Sequence, residues 1–134
     1  MKLQLRTLGL IVLALTFPVT AMHAQGPLSE GFTAIFNGKD LTGWKGLAGK
    51  GGSPENRAKM TAEELAKDQA AADKLMKAHW SVQDGVLVFD GKGKSLCTAK
   101  DYRDFEMYVD WKIKEKGDSG IYLRGSPQVQ IWDF

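Results

Sequence analysis

Two periodicities divide this chain. From residue 105 onward every second position is apolar: Phe105, Met107, Val109, Trp111 and Ile113 fall on one side. Glu106, Tyr108, Asp110, Lys112 and Lys114 fall on the other. A period of two is the mark of a half-buried strand. The same beat returns with Ile121 and Leu123 against Tyr122 and Arg124, and again with Val129 and Ile131 against Gln128, Gln130 and Trp132. EKGDSG and GSP read as the turns between these runs, with the Asp118 side chain capping backbone N–H groups in Asp118-Ser119-Gly120. Upstream, WSVQDGVLVF predicts a hairpin around Asp84-Gly85, and SLCTA a short strand. FTAIF has strand character near the start, followed by the turn chemistry of NGKD and an apolar anchor at Leu41 and Trp44.

Between residues 61 and 80 the period becomes helical. Thr61 stands as N-cap with Glu64 three residues on, a capping box. Leu65, Ala72, Leu75 or Met76, and His79 or Trp80 then form one apolar stripe opposite a face of Lys, Asp, Glu and Gln. The helical insert, residues 54–79, is expected to pack on the outside of a sheet, with a lid over a binding site as the alternative. Its Gly-rich lead-in, LAGKGGSPEN, reads as flexible.

Antiparallel strands with one apolar and one polar face imply a sheet packed on one side only. Several in succession predict an all-β fold, a sandwich or jelly roll, interrupted by one amphipathic helix. Six or seven strands are legible and the last is cut short. The chain therefore reads as truncated at its C-terminus, the front part of a longer domain beginning at residue 30.

The first 24 residues stand apart from that domain. Lys2 and Arg6 precede the apolar run LGLIVLALTF, and VTAMHAQ offers small residues for cleavage after Ala21 or Ala24. This predicts a secretory signal peptide over residues 1–24, and a periplasmic or extracellular protein with no membrane attachment after cleavage. No cysteine follows the apolar run, so a lipid anchor is not expected. The leader also changes the charge balance: Lys2 and Arg6 account for the whole formal net charge of +2. The remaining chain is neutral and carries no basic stripe, which argues against nucleic acid as a partner. Cys97 is the one cysteine, so no disulfide partner is expected. It reads as a small buried strand residue. A nucleophilic role would want a nearby base, yet His23 lies in the leader and His79 ends the helix.

The polar strand face holds the candidate chemistry: Glu106, Tyr108, Asp110, Tyr122, Arg124, Gln128, Gln130 and Trp132. Planar amides and guanidinium groups hydrogen-bond vicinal hydroxyls, and aromatic rings stack on sugar C–H faces. A carbohydrate is the expected partner. Glu106 and Asp110 are candidate acid–base groups, but four residues of strand separate them by about 13 Å. Inverting glycosidases hold their pair at roughly 6.5–9.5 Å and retaining ones at about 5–5.5 Å, so simple acid–nucleophile hydrolysis is disfavoured. Asp133 falls by strict alternation on the apolar face, unless a bulge or the strand end re-aims it. Oxygen donors of this kind suit a divalent cation, although no EF-hand spacing is present.

GFTAIFNGKDLTGWKG, WSVQDGVLVFDG, LCTAKDYRDFEMYVDWKI and GDSGIYLRGSPQVQIWD together resemble the 3-keto-disaccharide hydrolase domain family, over nearly all of residues 30–134. The resemblance implies a concanavalin- or glucanase-like jelly roll and activity on sugars already oxidised at C3. It implies a reaction in which a base removes the C2 proton, the C1 substituent leaves, and water adds back. Ser119, Gly120 and Arg124 match the family's SGIYLR element, and Gln130 and Asp133 its QIWD element. On that basis Arg124 and Gln130 are expected to bind sugar hydroxyls or the keto oxygen, with Tyr122, Gln128 and Trp132 beside them. Glu106, Asp110 and Asp133 are the candidates for base or metal ligand. The chain is shorter than the family pattern, lacking its C-terminal half. A non-catalytic carbohydrate-binding module and an inactive fragment are the alternatives.

Overall fold

The computed structural model describes residues 30–125 and 127–133; the expected leader lies outside the described residues, as do Ser126 and Phe134. In chain order the elements are β1 (Trp44–Gly46), α1 (Pro54–Arg57), α2 (Ala62–His79), β2 (Trp80–Gln83), β3 (Val86–Phe89), β4 (Leu96–Thr98), β5 (Asp118–Tyr122) and β6 (Gln128–Trp132). A 3-10 turn, Lys50–Gly52, precedes α1. The strands pair antiparallel as β1–β4, β2–β3 and β5–β6. The described residues are therefore all-β in character, built of small two-stranded sheets and one long helix.

The capping box starts α2 as expected. Thr61 Oγ1 accepts from the Glu64 N–H at 3.2 Å, and Glu64 Oε2 accepts from the Thr61 N–H at 2.8 Å. Those donors hold the Glu64 carboxyl below the usual carboxylate range, the backbone N–H of Thr61 contributing most. Downstream, Leu65, Ala72, Leu75, Met76 and His79 turn inward, and Ala72 and Met76 are buried. This stripe lies chiefly on β1, with lesser contact to β2. That is the outer-packing position rather than a lid over β5–β6.

The helix and β1 touch backbone to backbone. A Cβ placed on Gly46 would sit 2.6 Å from the Ala72 carbonyl carbon and 3.2 Å from the Ala72 Cβ. Polar side chains beside that contact satisfy the strand. Gly46 N donates to Asp73 Oδ1 at 3.0 Å, and Gln69 Nε2 donates to the Gly46 carbonyl at 3.0 Å and to Asp73 Oδ1 at 2.8 Å. One turn earlier, Asp68 accepts from Gly51 N at 2.7 Å and from Gly49 N at 3.3 Å. The lead-in that reads as flexible is thus tied to the helix. Its glycines let the backbone come close enough for one carboxylate to hold two N–H groups.

The β2–β3 hairpin turns where expected. Asp84 (φ +49°) and Gly85 (φ +78°) are both left-handed, the primed-turn conformation that Asp-Gly favours. Trp80 and Phe89 stack across it with centroids 4.7 Å apart. Near the start, the Asn37 side-chain Oδ1 accepts from Lys39 N and Asp40 N at 2.8 and 3.0 Å, which builds the expected NGKD turn.

Two expectations need correction. Residues 32–36 form no strand. The clearest alternation of all, over residues 105–113, also forms no strand and makes no ladder bond among the described residues. Alternation states which side of an extended segment will be buried; it does not supply a backbone partner. The segment nevertheless keeps its two faces. Met107, Val109 and Trp111 line an apolar hollow with Ile121, Leu123 and Val129, which Tyr108 also reaches. The hollow is open, and Val109, Trp111 and Val129 are each about half exposed.

The Gly46–Ala72 approach yields a direct test. Gly46→Ala is expected to destabilise the chain by roughly 1–3 kcal/mol through overpacking against backbone that cannot yield. Gly52→Ala, whose added Cβ meets only Leu47 at 3.5 Å, is expected to be nearly neutral. Urea unfolding of both variants reads the difference. Equal midpoints would show that the helix does not dock on β1 in this way.

Candidate functional site

The β5–β6 hairpin gathers most of the predicted polar residues. In its register Asp118 faces Trp132, Gly120 faces Gln130 and Tyr122 faces Gln128, with Ser119–Ile131 and Ile121–Val129 between them. Directly opposed residues share a face in an antiparallel pair, so the first three pairs form one face and the other two form the reverse. One side is thus Asp118, Trp132, Gln130, Tyr122 and Gln128; the other is Ile121, Val129 and Ile131, with Ser119. Tyr122 and Trp132 stand at opposite ends of the polar side, and each is more than half exposed.

Two turns fix the ladder. At one end Lys116 takes φ +55°, and its N–H donates to Asp133 Oδ2 at 2.8 Å. Asp133 N in turn donates to the Gly117 carbonyl at 3.2 Å. At the other end Arg124 (φ +53°) and Gly125 (φ +84°) are both left-handed, and Leu123 N donates to the Pro127 carbonyl at 2.7 Å. Arg124 therefore belongs to the turn rather than to the strand. Simple alternation with Tyr122 does not carry through it.

Gly120 leaves room in the middle of the polar face. The Gln128 side chain folds across it, so a Cβ there would lie 2.8 Å from Gln128 Cδ and 2.9 Å from Cγ. Beside that gap, Gln130 Nε2 donates to Asp118 Oδ1 and, at 3.0 Å, to the Ser119 carbonyl. Trp132 Nε1 donates to the same Asp118 oxygen at 2.9 Å.

Asp118 is placed differently from the turn reading. It begins β5, and its carboxylate receives side chains instead of capping EKGDSG; that turn sits earlier, at Glu115 and Lys116. The signal was present in the sequence. A loop centred on Gly125 sets residues equidistant from it across from one another, and Asp118 and Trp132 are each seven away.

The three candidate carboxylates fall in different surroundings. Asp133 lies just past β6, committed to the Lys116 N–H. Glu106 Oε1 accepts from the Tyr108 hydroxyl at 2.7 Å. That bond holds the Tyr108 proton and pushes its pKa up, with the nearby negative charge adding to the effect. Phe32 packs on the Tyr108 ring at 4.9 Å. Asp110 is exposed and accepts no hydrogen bond among the described residues. Glu106 and Asp110 share no partner among the described residues, and nothing there brings them together as a catalytic pair.

Elsewhere, His79 Nδ1 lies 2.9 Å from Asp90 Oδ2, and this bond chiefly draws the Asp90 carboxyl below its usual range. Cys97 is half-buried in β4, opposite Lys45, and burial pushes its thiol pKa up. A protonated thiol there fits a packing role. Among the described residues no three His, Cys, Asp or Glu side chains group as a metal site, and no helix is long and apolar enough to cross a membrane.

The profile of a family described as a 3-keto-alpha-glucoside-1,2-lyase-like domain matches residues 31–134. The chain belongs to this family. The match spans every element from β1 to β6, including the helical insert. A 3-keto-disaccharide hydrolase of Bacteroides thetaiotaomicron is 27% identical over 103 residues, covering 70% of this chain and 27% of that relative. The chain thus spans about a quarter of the length of the curated relative it matches. No solved structure matches it.

In this lyase-like domain the Glu106–Tyr108 bond makes a pH prediction. A tyrosine raised in the folded state keeps its contact below the ordinary value of about 10 and loses it as pH climbs through the folded value. Among the protein's three tyrosines, tyrosinate absorbance should show one component titrating late. Glu106→Gln should bring it back toward the ordinary value. Three coincident titrations in the parent chain would show that the contact does not form in solution.

Proposed function

We propose that this chain carries the sugar-binding face of an exported enzyme that cleaves 3-keto-disaccharides. The observation that carries the reading is the polar side of β5–β6, where two half-exposed aromatic rings bracket two glutamine amides. Family membership and the named activity of the Bacteroides thetaiotaomicron relative support it. The same hairpin, polar on one side and apolar on the other, supports the finer fold reading of a jelly roll whose second sheet lies over the apolar hollow.

The proposed chemistry follows from the ketone. A C3 carbonyl acidifies the C2–H bond. A base takes that proton, the electron pair forms the C1–C2 double bond through the enolate, and the C1–O bond breaks with its electrons leaving on the aglycone oxygen. Water then adds across the double bond, hydroxyl to C1 and proton to C2, for net hydrolysis. Such a site needs one base and donors for the enolate oxygen, not two carboxylates at glycosidase spacing. Among the predicted bases, Glu106 and Asp133 already receive donors within the protein, whereas Asp110 carries neither constraint. Asp110 is therefore assigned as the base, and the guanidinium of Arg124, a donor only, as a partner for the developing oxyanion.

The test is turnover of a 3-keto-disaccharide against its unoxidised parent, following release of the monosaccharide and the transient enone absorbance. The chain should cleave only the keto sugar, and Asp110→Asn should lower kcat by at least about 100-fold, a loss typical of removing a general base, while leaving binding intact. Equal cleavage of both sugars would rule out elimination. A second reading, a binding module without catalysis, is favoured by one observation: Asp118, the carboxylate on the platform itself, already accepts from Gln130 and Trp132 through Oδ1. Binding without turnover, unaltered by Asp110→Asn, would establish that reading instead.

A further inference from the structure

We propose that Asp118 is a positioning residue that turns Gln130 into an acceptor-only subsite for a sugar hydroxyl and locks Trp132 as a stacking surface. The inference rests on the reading of this face as a sugar platform.

The argument starts from the donors and acceptors of one amide. A glutamine side chain offers two N–H donors on nitrogen and two lone pairs on oxygen. Gln130 meets a carboxylate oxygen of Asp118 and the carbonyl of Ser119, and both of these can only accept. The amide must therefore present its nitrogen to both. This orientation follows from the chemistry of the partners, whichever atom is drawn as nitrogen. Its two N–H groups are spent within the hairpin. Oε1 is left without a partner among the described residues, on a side chain that is exposed.

The consequence concerns specificity. An outward carbonyl oxygen can receive a hydroxyl proton but has nothing to give to a ketone. Of the two roles expected for Gln130, a hydroxyl or the keto oxygen, this arrangement selects the hydroxyl. Trp132 depends on the same carboxylate. Its indole has a single donor, Nε1–H, and gives it to Asp118 Oδ1. With that bond made, the orientation of the ring is set before any ligand arrives, so stacking costs less ordering on binding. One carboxylate oxygen thus arranges a polar contact and an apolar one.

The decisive experiment exchanges the two functional groups. Gln130→Glu keeps an outward acceptor but sets two carboxylates against each other, and is expected to weaken binding of a 3-keto-disaccharide by about tenfold. In Asp118→Asn/Gln130→Glu the amide moves to position 118. Its oxygen accepts from Trp132, and its nitrogen donates to the carboxylate now at position 130, which keeps an oxygen facing out. Affinity should recover to within about threefold of the parent. Asp118→Asn alone should bind nearly normally, since its amide oxygen accepts both donors, whereas Asp118→Leu should lose as much as Gln130→Glu. With the unfolding midpoint of the double variant matching the parent's, failure of that rescue overturns the proposal.

A second measurement needs no sugar. In the 15N spectrum of the full chain, the Gln130 side-chain amide pair, assigned by its loss in Gln130→Ala, should exchange with water more slowly than that of Gln128, whose amide donates no hydrogen bond among the described residues. Free-amide exchange there overturns the part given to Asp118. A protected amide in a chain that binds no 3-keto-disaccharide overturns the sugar reading, and the subsite with it.

Discussion

The close approach of Gly46 to Ala72 is the contact on which the organised part of this chain depends. Among the described residues strand β1 pairs only with β4, and the backbone of α2 closes on it at Gly46. A glycine on the strand and an alanine on the helix make that distance possible. Asp73 and Gln69 then take up the hydrogen-bonding groups that the missing neighbour would have used. An edge strand with unpaired N–H and C=O groups invites association with other chains, and covering it with a helix is one way to remove that hazard. The insert is therefore a piece of sheet management. Its polar side chains at helical spacing serve the strand backbone as much as its apolar ones serve the core.

How legible each part was in the sequence depends on whether its cause is local. The capping box, the Asp84-Gly85 turn and the α2 stripe were readable because each is decided within a few residues. Residues 105–113 show the opposite case. Their alternation is the strongest in the chain and Met107, Val109 and Trp111 share one hollow, yet no strand forms, because pairing is a property of a second segment. Asp118 was misplaced for a related reason. Gly117, Asp118, Ser119 and Gly120 are all common turn formers, and only the register of the hairpin reveals that the turn precedes them. Likewise, nothing in LAGKGG announces that Asp68, seventeen residues beyond Gly51, will hold its backbone.

The hairpin joins two tasks with opposite needs. Its apolar side, with Met107, Val109 and Trp111 across the hollow, gains by being covered. Its polar side must remain open to be of use. A two-stranded ribbon twists readily and holds a face poorly. In β5–β6 the polar side is braced within itself: Asp118 ties Gln130 and Trp132, Gln128 folds over Gly120, and Asp133 fastens the Lys116 turn. The side chains thus supply part of the rigidity that a wider sheet would otherwise give.

That bracing limits which chemistry each group can perform. A general base must turn a lone pair to the substrate, and an oxyanion partner must have a proton to offer. Asp118 Oδ1 and Asp133 Oδ2 accept bonds inside the protein, and Gln130 donates its N–H groups there. In the proposed reaction, the groups without such bonds are Oε1 of Gln130, the donors of Arg124 and the carboxylate of Asp110. Of these, the two proposed as reacting groups are also those whose positions the hairpin ladder does not fix, since Arg124 lies in a turn and Asp110 on a segment unpaired among the described residues. Rigid recognition by β5–β6 together with reacting groups on its margins is a coherent division for an elimination, in which the sugar ring must be held while its proton and its leaving group depart.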